Sequence, residues 1–187
     1  MIVAVEGPNG AGKTWLCDVL RNKFLDVGFI KTPFYDEALG RAAKEVLKND
    51  RHLTPYKDEI IYGNWLAGCL KLKTDQKYII DRWYDSAMIY SASSVWGSLQ
   101  DWSFIPLPDL TIVLLPPLSV VLRRLGERQV LRIYDTQRGY EKVENYYKNL
   151  GLDLTGSSKI QRALDGREFI VLHSEEEVRD FSQKFQL

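Results

Sequence analysis

Short apolar runs alternate with longer segments of mixed polarity along the chain. The runs are rich in β-branched and aromatic residues, which favour strands, and they are nearly continuous, which is typical of parallel strands buried on both faces. The predicted strands are residues 2–6, 28–32, 77–81, 110–115 and 168–173. Their alternation with helices predicts an α/β fold, with a five-stranded parallel sheet and helices on both faces.

Helix-length segments occupy the intervals between the runs. One helix is predicted from residue 13 to 27 and another from residue 54 to about 73. Ser174 and Glu177 have capping-box spacing and predict the start of a last helix. The sequence contains no repeat, low-complexity segment or linker, so residues 1–187 are predicted to form a single domain. In sheets of this type, ligands bind in the crevice at the carboxyl ends of the strands.

The charges of the chain balance. Lysine and arginine number 25 and aspartate and glutamate also 25, so the formal net charge is zero and the surface lacks the positive field that attracts nucleic acid or an anionic membrane. The longest apolar run, residues 110–118, is far below the ~20 residues that a bilayer-spanning helix needs. These features predict a soluble, intracellular protein of the cytoplasm, with neither nucleic acid nor membrane as a partner.

A glycine-rich loop lies between the first predicted strand and the first predicted helix. Its sequence, GPNGAGKT, matches the phosphate-binding pattern G-x-x-x-x-G-K-[ST]. Backbone N–H groups and the amino end of the helix can surround an anion, and the lysine adds a charge between the β- and γ-phosphates. The threonine hydroxyl can bind Mg²⁺. The predicted nucleotide-binding residues are Gly7, Asn9, Gly10, Ala11, Gly12, Lys13 and Thr14.

An acidic and a basic residue, Asp81 and Arg82, stand together at the end of the third predicted strand, in the stretch YIIDRWYDSAMIYSA. Because the carboxyl ends of parallel strands meet at one edge of a sheet, both side chains are expected in the same crevice as the loop. In isolation, such a pair could also be a solvated ion pair at a strand–helix junction. Beside a phosphate-binding loop, this acid–base pair indicates a site that binds phosphates.

With these two motifs the chain resembles the thymidylate kinase family of P-loop nucleoside monophosphate kinases, as a divergent member. The resemblance rests on VEGPNGAGKT, TPFYDEALGRAAKEVL, DRWYDSAMIYSA and PDLTIVLLPP, followed by the arginine-bearing stretch LRRLGERQVLRIYDTQ. It implies a three-layer P-loop kinase fold, an arginine-bearing lid at about residues 123–138, and a homodimer. The implied activity is the transfer of phosphate from ATP, with Mg²⁺, to a deoxynucleoside monophosphate, dTMP or a related pyrimidine nucleotide being the expected acceptor.

The resemblance also assigns roles to residues. The expected catalytic residues are Lys13, Asp81, Arg82 and Arg128. Thr14 and Asp81 are expected to bind Mg²⁺, and Arg123 to contact ATP. The residues expected to bind the acceptor are Asn9, Pro33, Tyr62, Asn64, Trp65, Arg82, Trp83, Ser86, Tyr90 and Arg132. Phosphoryl transfer requires phosphates held in line and neutralised by lysine, arginine and Mg²⁺, and this set of residues offers those charges.

Three positions depart from the family's pattern, and all of them concern the acceptor. Family members usually have an arginine next to the proline that corresponds to Pro33, and this arginine helps to hold the monophosphate. This chain has no arginine there, and Lys31 could either replace the missing arginine or face away from the site. Leu66 stands where an arginine usually contacts the base. Asn9 replaces an acidic residue of the loop near the acceptor's sugar. The base of the acceptor is therefore left open.

Alternatives remain for two aromatic residues and for the activity. Tyr62 could stack on the base, and Asn64 or Trp65 could contact it, or the aromatic pair could pack the helix into the core. The missing arginine beside Pro33 also fits a deoxynucleoside kinase, whose acceptor has no phosphate to clamp. A third alternative is a nucleotide-binding regulator without catalytic activity, which does not need a cluster of lid arginines.

Overall fold

A six-stranded sheet forms the centre of the computed structural model, which describes residues 1–32, 38, 40–42, 54–92, 99–127, 135–155 and 158–187. The strands are β1 (Ile2–Glu6), β2 (Gly28–Lys31), β3 (Tyr78–Asp81), β4 (Leu110–Leu114), β5 (Ile160–Arg162) and β6 (Glu168–Leu172). Their order is β2-β3-β1-β4-β6-β5, and all except β5 are parallel. The five predicted parallel strands are confirmed to within one residue at each end.

The sixth strand corrects the predicted strand count. β5 lies at the edge of the sheet and pairs antiparallel with β6, with Ile160 opposite Ile170. It has three residues, and the Ile160 side chain is largely exposed. A strand this short, without a buried apolar run, leaves no periodic signal in the sequence.

The helices whose bounds the structure gives are α1 (Lys13–Lys23), α2 (Thr54–Cys69), α3 (Tyr84–Ala87), α4 (Leu118–Gly126), α5 (Gln137–Asn149) and α6 (Glu175–Lys184). Helix α3 continues into a π-helical turn, Met88–Ala92. Helices α1 and α2 end before the predicted residues 27 and 73. Helix α6 begins as predicted, because the Ser174 hydroxyl accepts a hydrogen bond from the Glu177 N–H at 3.1 Å. Within the described parts of the chain, no helix has the length and apolar character that a membrane span requires.

Both faces of the sheet are covered, because successive strand residues point to opposite sides. Val3 and Val5 of β1 pack with apolar residues of α1 and α6 on one face. Ala4, between them, packs with Ile80 and Trp83 on the other face. Helices α4 and α5 cover β4 and β6 on that second face. The result is three layers, with helices on either side of the sheet.

The carboxyl ends of three strands, β1, β2 and β3, lie side by side. The register pairs Val5 of β1 with Asp81 of β3, and Asp81 in turn with Lys31 of β2. The chain leaves β1 at Glu6 and enters the glycine-rich loop directly. The ends of three strands and the loop therefore surround one crevice.

Candidate functional site

The glycine-rich loop, residues 7–14, connects β1 to α1 and passes against the end of β4. Gly7 has φ +134°, and a Cβ at this position would lie 2.2 Å from the carbonyl oxygen of Leu114, so only glycine fits. Gly12, which caps the amino end of α1, also has a left-handed backbone, with φ +100°. The pattern of glycines in the sequence is therefore required by the path of the backbone.

The side chain of Lys13 lies inside this loop and binds its backbone carbonyls. Its Nζ donates hydrogen bonds to the carbonyl oxygens of Gly7 at 2.9 Å and Pro8 at 2.6 Å. The residue is buried, and burial together with the positive charge of Arg82 lowers the pKa of Lys13 well below its ordinary value. An anion bound beside this ammonium group would favour its charged form.

Asp81, at the end of β3, turns its side chain toward the loop. Its Oδ2 accepts a hydrogen bond from the Thr14 hydroxyl at 3.4 Å and lies 3.0 Å from Nζ of Lys31. Lys31 also donates to Thr14 Oγ1 at 3.1 Å. The two residues expected to bind Mg²⁺ are therefore neighbours, and Lys31, whose direction the sequence left open, faces them.

Arg82 has a strained backbone, since it combines a large side chain with φ +69°. Such a conformation persists only where the surrounding contacts hold it. The Arg82 N–H donates to the carbonyl of Val5 at 3.0 Å, and the Arg82 carbonyl accepts from the hydroxyl of Thr32. The left-handed turn directs the Arg82 side chain across the loop.

The guanidinium of Arg82 joins the loop to helix α3. Nη2 donates to Oδ1 of Asn9, and Nη1 lies 3.4 Å from the Gly7 carbonyl and 3.3 Å from Oγ of Ser86. Its Cζ lies 5.6 Å from the ring centre of Tyr90, a cation–π distance. Four residues assigned to the acceptor from the sequence, Asn9, Arg82, Ser86 and Tyr90, are thus brought together.

Glu6, the last residue of β1, holds the residues that follow Arg82 by hydrogen bonds. Its carboxylate is buried and accepts hydrogen bonds from the N–H groups of Trp83 at 2.6 Å and Ser86 at 3.1 Å, and from the Ser86 hydroxyl at 2.5 Å. Burial and the charge of Asp85 raise the pKa of Glu6 to about 7. Glu6 therefore fixes both Ser86 and the amino end of α3, beside Arg82.

A buried ion pair holds the same short helix, α3, at Asp85. Arg167 Nη1 lies 2.5 Å from Oδ1 of Asp85, and both side chains are almost completely buried. The Asp85 carboxylate also accepts from the hydroxyls of Tyr146 at 2.9 Å and Tyr147 at 3.4 Å. Burial raises the pKa of Asp85, while Arg167 opposes the shift. The β5–β6 hairpin, which carries Arg167, is in this way tied to the helix that follows the Asp–Arg motif.

The aromatic residues expected around the base lie at different depths. Trp83 and Trp65 are buried, with ring centres 5.8 Å apart, and the Trp83 indole donates to the carbonyl of Pro106 at 2.9 Å. Asn64 is buried as well. Tyr62 is half-buried, and its hydroxyl donates to the carbonyl of Asp101 at 3.0 Å. The burial of Trp65 fits the packing interpretation of the helix, whereas Tyr62 is only half-buried. Trp83, which was expected beside the acceptor, is buried against Trp65.

The arginine that contacts the loop from helix α4 is Arg124. Its Nη1 donates to the carbonyls of Gly10 at 3.2 Å and Ala11 at 3.4 Å, and its Nη2 pairs with Glu175 at 2.5 Å. Arg123, which was expected to contact ATP, directly precedes Arg124 in α4. Its side chain is exposed and lies about 100° away from that of Arg124 around the helix axis. Three other expected site residues, Pro33, Arg128 and Arg132, lie outside the described residues.

A cavity of about 320 Å³ lies beside the loop, at the carboxyl ends of β4 and β6. Its walls include Gly12, Trp15, Pro116, Arg124, His173 and Ser174. The cavity adjoins the amino end of α1, so a ligand whose phosphates lie on the loop could place its remaining part here.

The oxygens of Thr14 and Asp81 form a donor set that suits Mg²⁺, a hard cation that takes one or two carboxylates together with phosphate oxygens and water. No group of three or more His, Cys, Asp or Glu side chains that could hold a metal ion occurs in the described parts of the chain. A metal ion at Thr14 and Asp81 would therefore obtain its other ligands from a bound nucleotide and water.

A family model described as thymidylate kinase matches residues 5–165, which include the loop, Asp81, Arg82 and Asp85. The chain belongs to the thymidylate kinase family. Thymidylate kinases are nucleoside monophosphate kinases, so the protein is an enzyme of this class. The predicted family membership is confirmed, and so is the predicted fold class.

Two curated thymidylate kinases are similar to the chain over most of their length. The probable thymidylate kinase of Methanospirillum hungatei is 28% identical over 172 residues, covering 80% of each chain. The probable thymidylate kinase 1 of Saccharolobus solfataricus is 29% identical over 165 residues, covering 78% of this chain and 84% of the relative.

Two solved structures share the fold. The thymidylate kinase of Candida albicans has a TM-score of 0.67 at 17% identity, covering 97% of this chain and 88% of that one. The deoxyadenosine kinase of M. mycoides, solved with bound dATP, has a TM-score of 0.65 at 15% identity, covering 98% of this chain and 96% of that one. Since these two kinases are named for different substrates, the likeness of fold leaves the acceptor open.

Three residues of this site, Glu6, Arg124 and Arg167, were not among those predicted from the sequence. Glu6 had a signal, since an acidic residue ends an otherwise apolar strand, IVAVE. Arg124 could not be told from Arg123 without the rotation of α4. Arg167 had no local signal, because it meets Asp85 from 82 residues away.

Proposed function

We propose that the protein transfers the γ-phosphoryl group of ATP, with Mg²⁺, to dTMP or a related pyrimidine deoxynucleoside monophosphate. The observation that supports this best is the proximity of the two motifs. Arg82 reaches the Gly7 carbonyl at 3.4 Å, and Asp81 reaches the Thr14 hydroxyl at 3.4 Å. Phosphates bound to the loop and to Arg82 would be neighbours, which direct transfer between them requires.

The loop and Lys13 are assigned to the donor. The Lys13 ammonium exchanges its contacts with the Gly7 and Pro8 carbonyls for phosphate oxygens, and the amino end of α1 adds a favourable potential. The cavity beside Gly12 is assigned to the base of ATP, with Arg124 in its wall. These residues bind and orient the donor without any covalent step.

Arg82 is assigned to the acceptor phosphate, because a planar guanidinium can hold two phosphate oxygens at once. Its contacts with Asn9 and Ser86 set its position before the acceptor binds. Thr14 and Asp81 would hold Mg²⁺, which when bound neutralises charge on the phosphates. Arg128 and Arg132 are assigned to the lid, where they would add positive charge and exclude water.

Tyr62 is assigned to the acceptor's base. It combines a half-buried ring with edge-to-face contacts to Trp102 and Phe104, at centre distances of 5.2 Å and 5.1 Å. These contacts would hold the ring in place for stacking. Stacking accepts any base, so the choice of pyrimidine rests on the family resemblance.

A coupled assay of ATP consumption over a panel of deoxynucleoside monophosphates tests the proposal. We expect the highest kcat/KM with dTMP or another pyrimidine monophosphate, and loss of turnover in Lys13→Ala. Turnover with none of the monophosphates would overturn the proposal and favour a nucleotide-binding regulator.

A deoxynucleoside kinase is the second candidate, favoured by the absence of arginine next to Pro33. Product analysis with thymidine beside dTMP separates the two activities. Formation of dTMP from thymidine would favour the second candidate, and formation of dTDP from dTMP the first.

The family resemblance supports two further proposals, a homodimer and a cytoplasmic location. Light scattering after size-exclusion chromatography measures the first directly. A mass equal to that of one chain, 21.6 kDa, would contradict the dimer.

A further inference from the structure

The ammonium group of Lys31 lies between the two residues assigned to Mg²⁺. Its Nζ is 3.0 Å from Oδ2 of Asp81 and 3.1 Å from Oγ1 of Thr14, and these two oxygens are 3.4 Å apart. A single positive group therefore contacts both oxygens of the expected metal site.

The register of the sheet produces this arrangement. Lys31 and Asp81 are partners on the neighbouring parallel strands β2 and β3, so their side chains point to the same face. Asp81 has a side chain that is 3% exposed, whereas that of Lys31 is 40% exposed. The carboxylate is thus fixed and buried, while the ammonium group reaches it from the solvent side on a flexible stem.

A buried carboxylate needs a partner of opposite charge, because an uncompensated buried charge is costly. Lys31 supplies that partner at Asp81. Mg²⁺ would bind the same two oxygens, and two cations cannot share ligands that are 3.4 Å apart without strong repulsion.

We propose that the ammonium group of Lys31 occupies the metal site as the counter-ion of Asp81. It contacts Thr14 and Asp81 until Mg²⁺, arriving with the donor nucleotide, displaces it. This inference rests on the proposed function, since it takes Thr14 and Asp81 as the metal ligands. Lys31 and Mg²⁺ then oppose each other, so the gain in nucleotide affinity that Mg²⁺ provides is smaller than it would be without the lysine.

The experiment measures the affinity of the non-hydrolysable ATP analogue AMP-PNP by calorimetry, once with Mg²⁺ and once with EDTA. The quantity of interest is the ratio of the dissociation constant in EDTA to that in Mg²⁺. In Lys31→Met the ratio should rise about tenfold over the wild type, because Mg²⁺ no longer has to displace an ion pair with a buried carboxylate. Lys31→Gln serves as a second variant of the same charge if Lys31→Met does not fold.

Two controls locate the effect. Lys77→Met removes the same charge from an exposed position just before the amino end of β3, at the side of the sheet opposite to Asp81. This variant should leave the ratio unchanged. In the double variant Lys31→Met/Asp81→Asn, which lacks the carboxylate, the ratio should fall to the wild-type value or below it.

An unchanged or smaller ratio in the Lys31 variants would overturn the inference. The same holds for an increase that Lys77→Met reproduces or that survives the loss of Asp81. Failure of the proposed function has a different signature, because the wild type would then either not bind AMP-PNP or bind it without phosphorylating any monophosphate with ATP.

Discussion

The guanidinium of Arg82 donates a hydrogen bond to the side-chain oxygen of Asn9, which joins the end of β3 to the glycine-rich loop. Arg82 Nη1 also lies 3.4 Å from the Gly7 carbonyl in the same loop. The residue assigned to the acceptor phosphate is therefore held by the loop assigned to the donor. Substitutions at the two positions test these assignments separately.

Asn9→Ala should raise the KM of the acceptor about two- to tenfold, the range expected for one lost hydrogen bond. The KM for ATP should change little, because Lys13 and the loop backbone keep their contacts. Steady-state kinetics with each substrate varied in turn measure this difference. Asn22→Ala, an exposed asparagine on α1, is the matched control. A rise in the KM for ATP alone would contradict the position assigned to Asn9.

Arg82→Ala and Arg82→Gly should both reduce kcat/KM about a hundredfold or more, since each removes the charge that is assigned to the acceptor phosphate. Their stabilities should differ. Arg82 has φ +69°, a conformation that costs a residue with a Cβ roughly 1–2 kcal/mol and costs glycine almost nothing. Urea unfolding should therefore find the glycine variant more stable than the alanine variant by about 1 kcal/mol. Equal stabilities, or wild-type activity in either variant, would refute the corresponding assignment.

The sequence predicted those parts of the molecule in which local pattern decides the structure. The loop could be read from its spacing, because Gly7 and Gly12 are required by the backbone itself. The parallel strands could be read from their apolar runs, since both faces of the sheet are buried. β5 could not, because its three residues lie at an exposed edge and bury almost nothing.

The contacts that support the site could not be predicted from the sequence, because they join residues that are distant along the chain. Glu6 meets Ser86 from 80 residues away, and Arg167 meets Asp85 from 82 residues away. No periodicity records such pairs, which exist only once the sheet has brought β1, α3 and the β5–β6 hairpin together. The depth of Trp83 was hidden in the same way, since its indole partner is the carbonyl of Pro106.

Arg167→Met should destabilise the protein by about 3 kcal/mol or more, because it leaves the buried carboxylate of Asp85 without its cation. The double variant Arg167→Met/Asp85→Asn should recover part of that loss, since the uncompensated charge is gone. Arg162→Met is the control, because Arg162 is exposed on the same hairpin. Urea unfolding measures all three. A loss in Arg167→Met no larger than in Arg162→Met would show that the pair does not stabilise the fold.

Glu6 should make the stability of the protein depend on pH. Its pKa is about 7 in the folded chain, against an ordinary value of 4.5, chiefly because the carboxyl is buried and secondly because Asp85 is near. Between these two pH values the folded state holds a proton that the unfolded state has released, so stability falls as pH rises from about 4.5 to about 7. Below this window Glu6 is protonated in both states, and its contribution is constant.

Glu6→Gln removes the titrating group while keeping an oxygen that can accept hydrogen bonds from Trp83 and Ser86. The free energy of unfolding of this variant, relative to the wild type, should therefore increase through the window and level off above pH about 7. Urea unfolding at pH values below, within and above the window measures the difference. Glu168→Gln, an exposed glutamate on β6, should leave the wild-type pH dependence unchanged. A pH dependence in Glu6→Gln that equals that of the wild type would mean that the Glu6 carboxyl titrates alike in the folded and unfolded chain, and that burial does not raise its pKa.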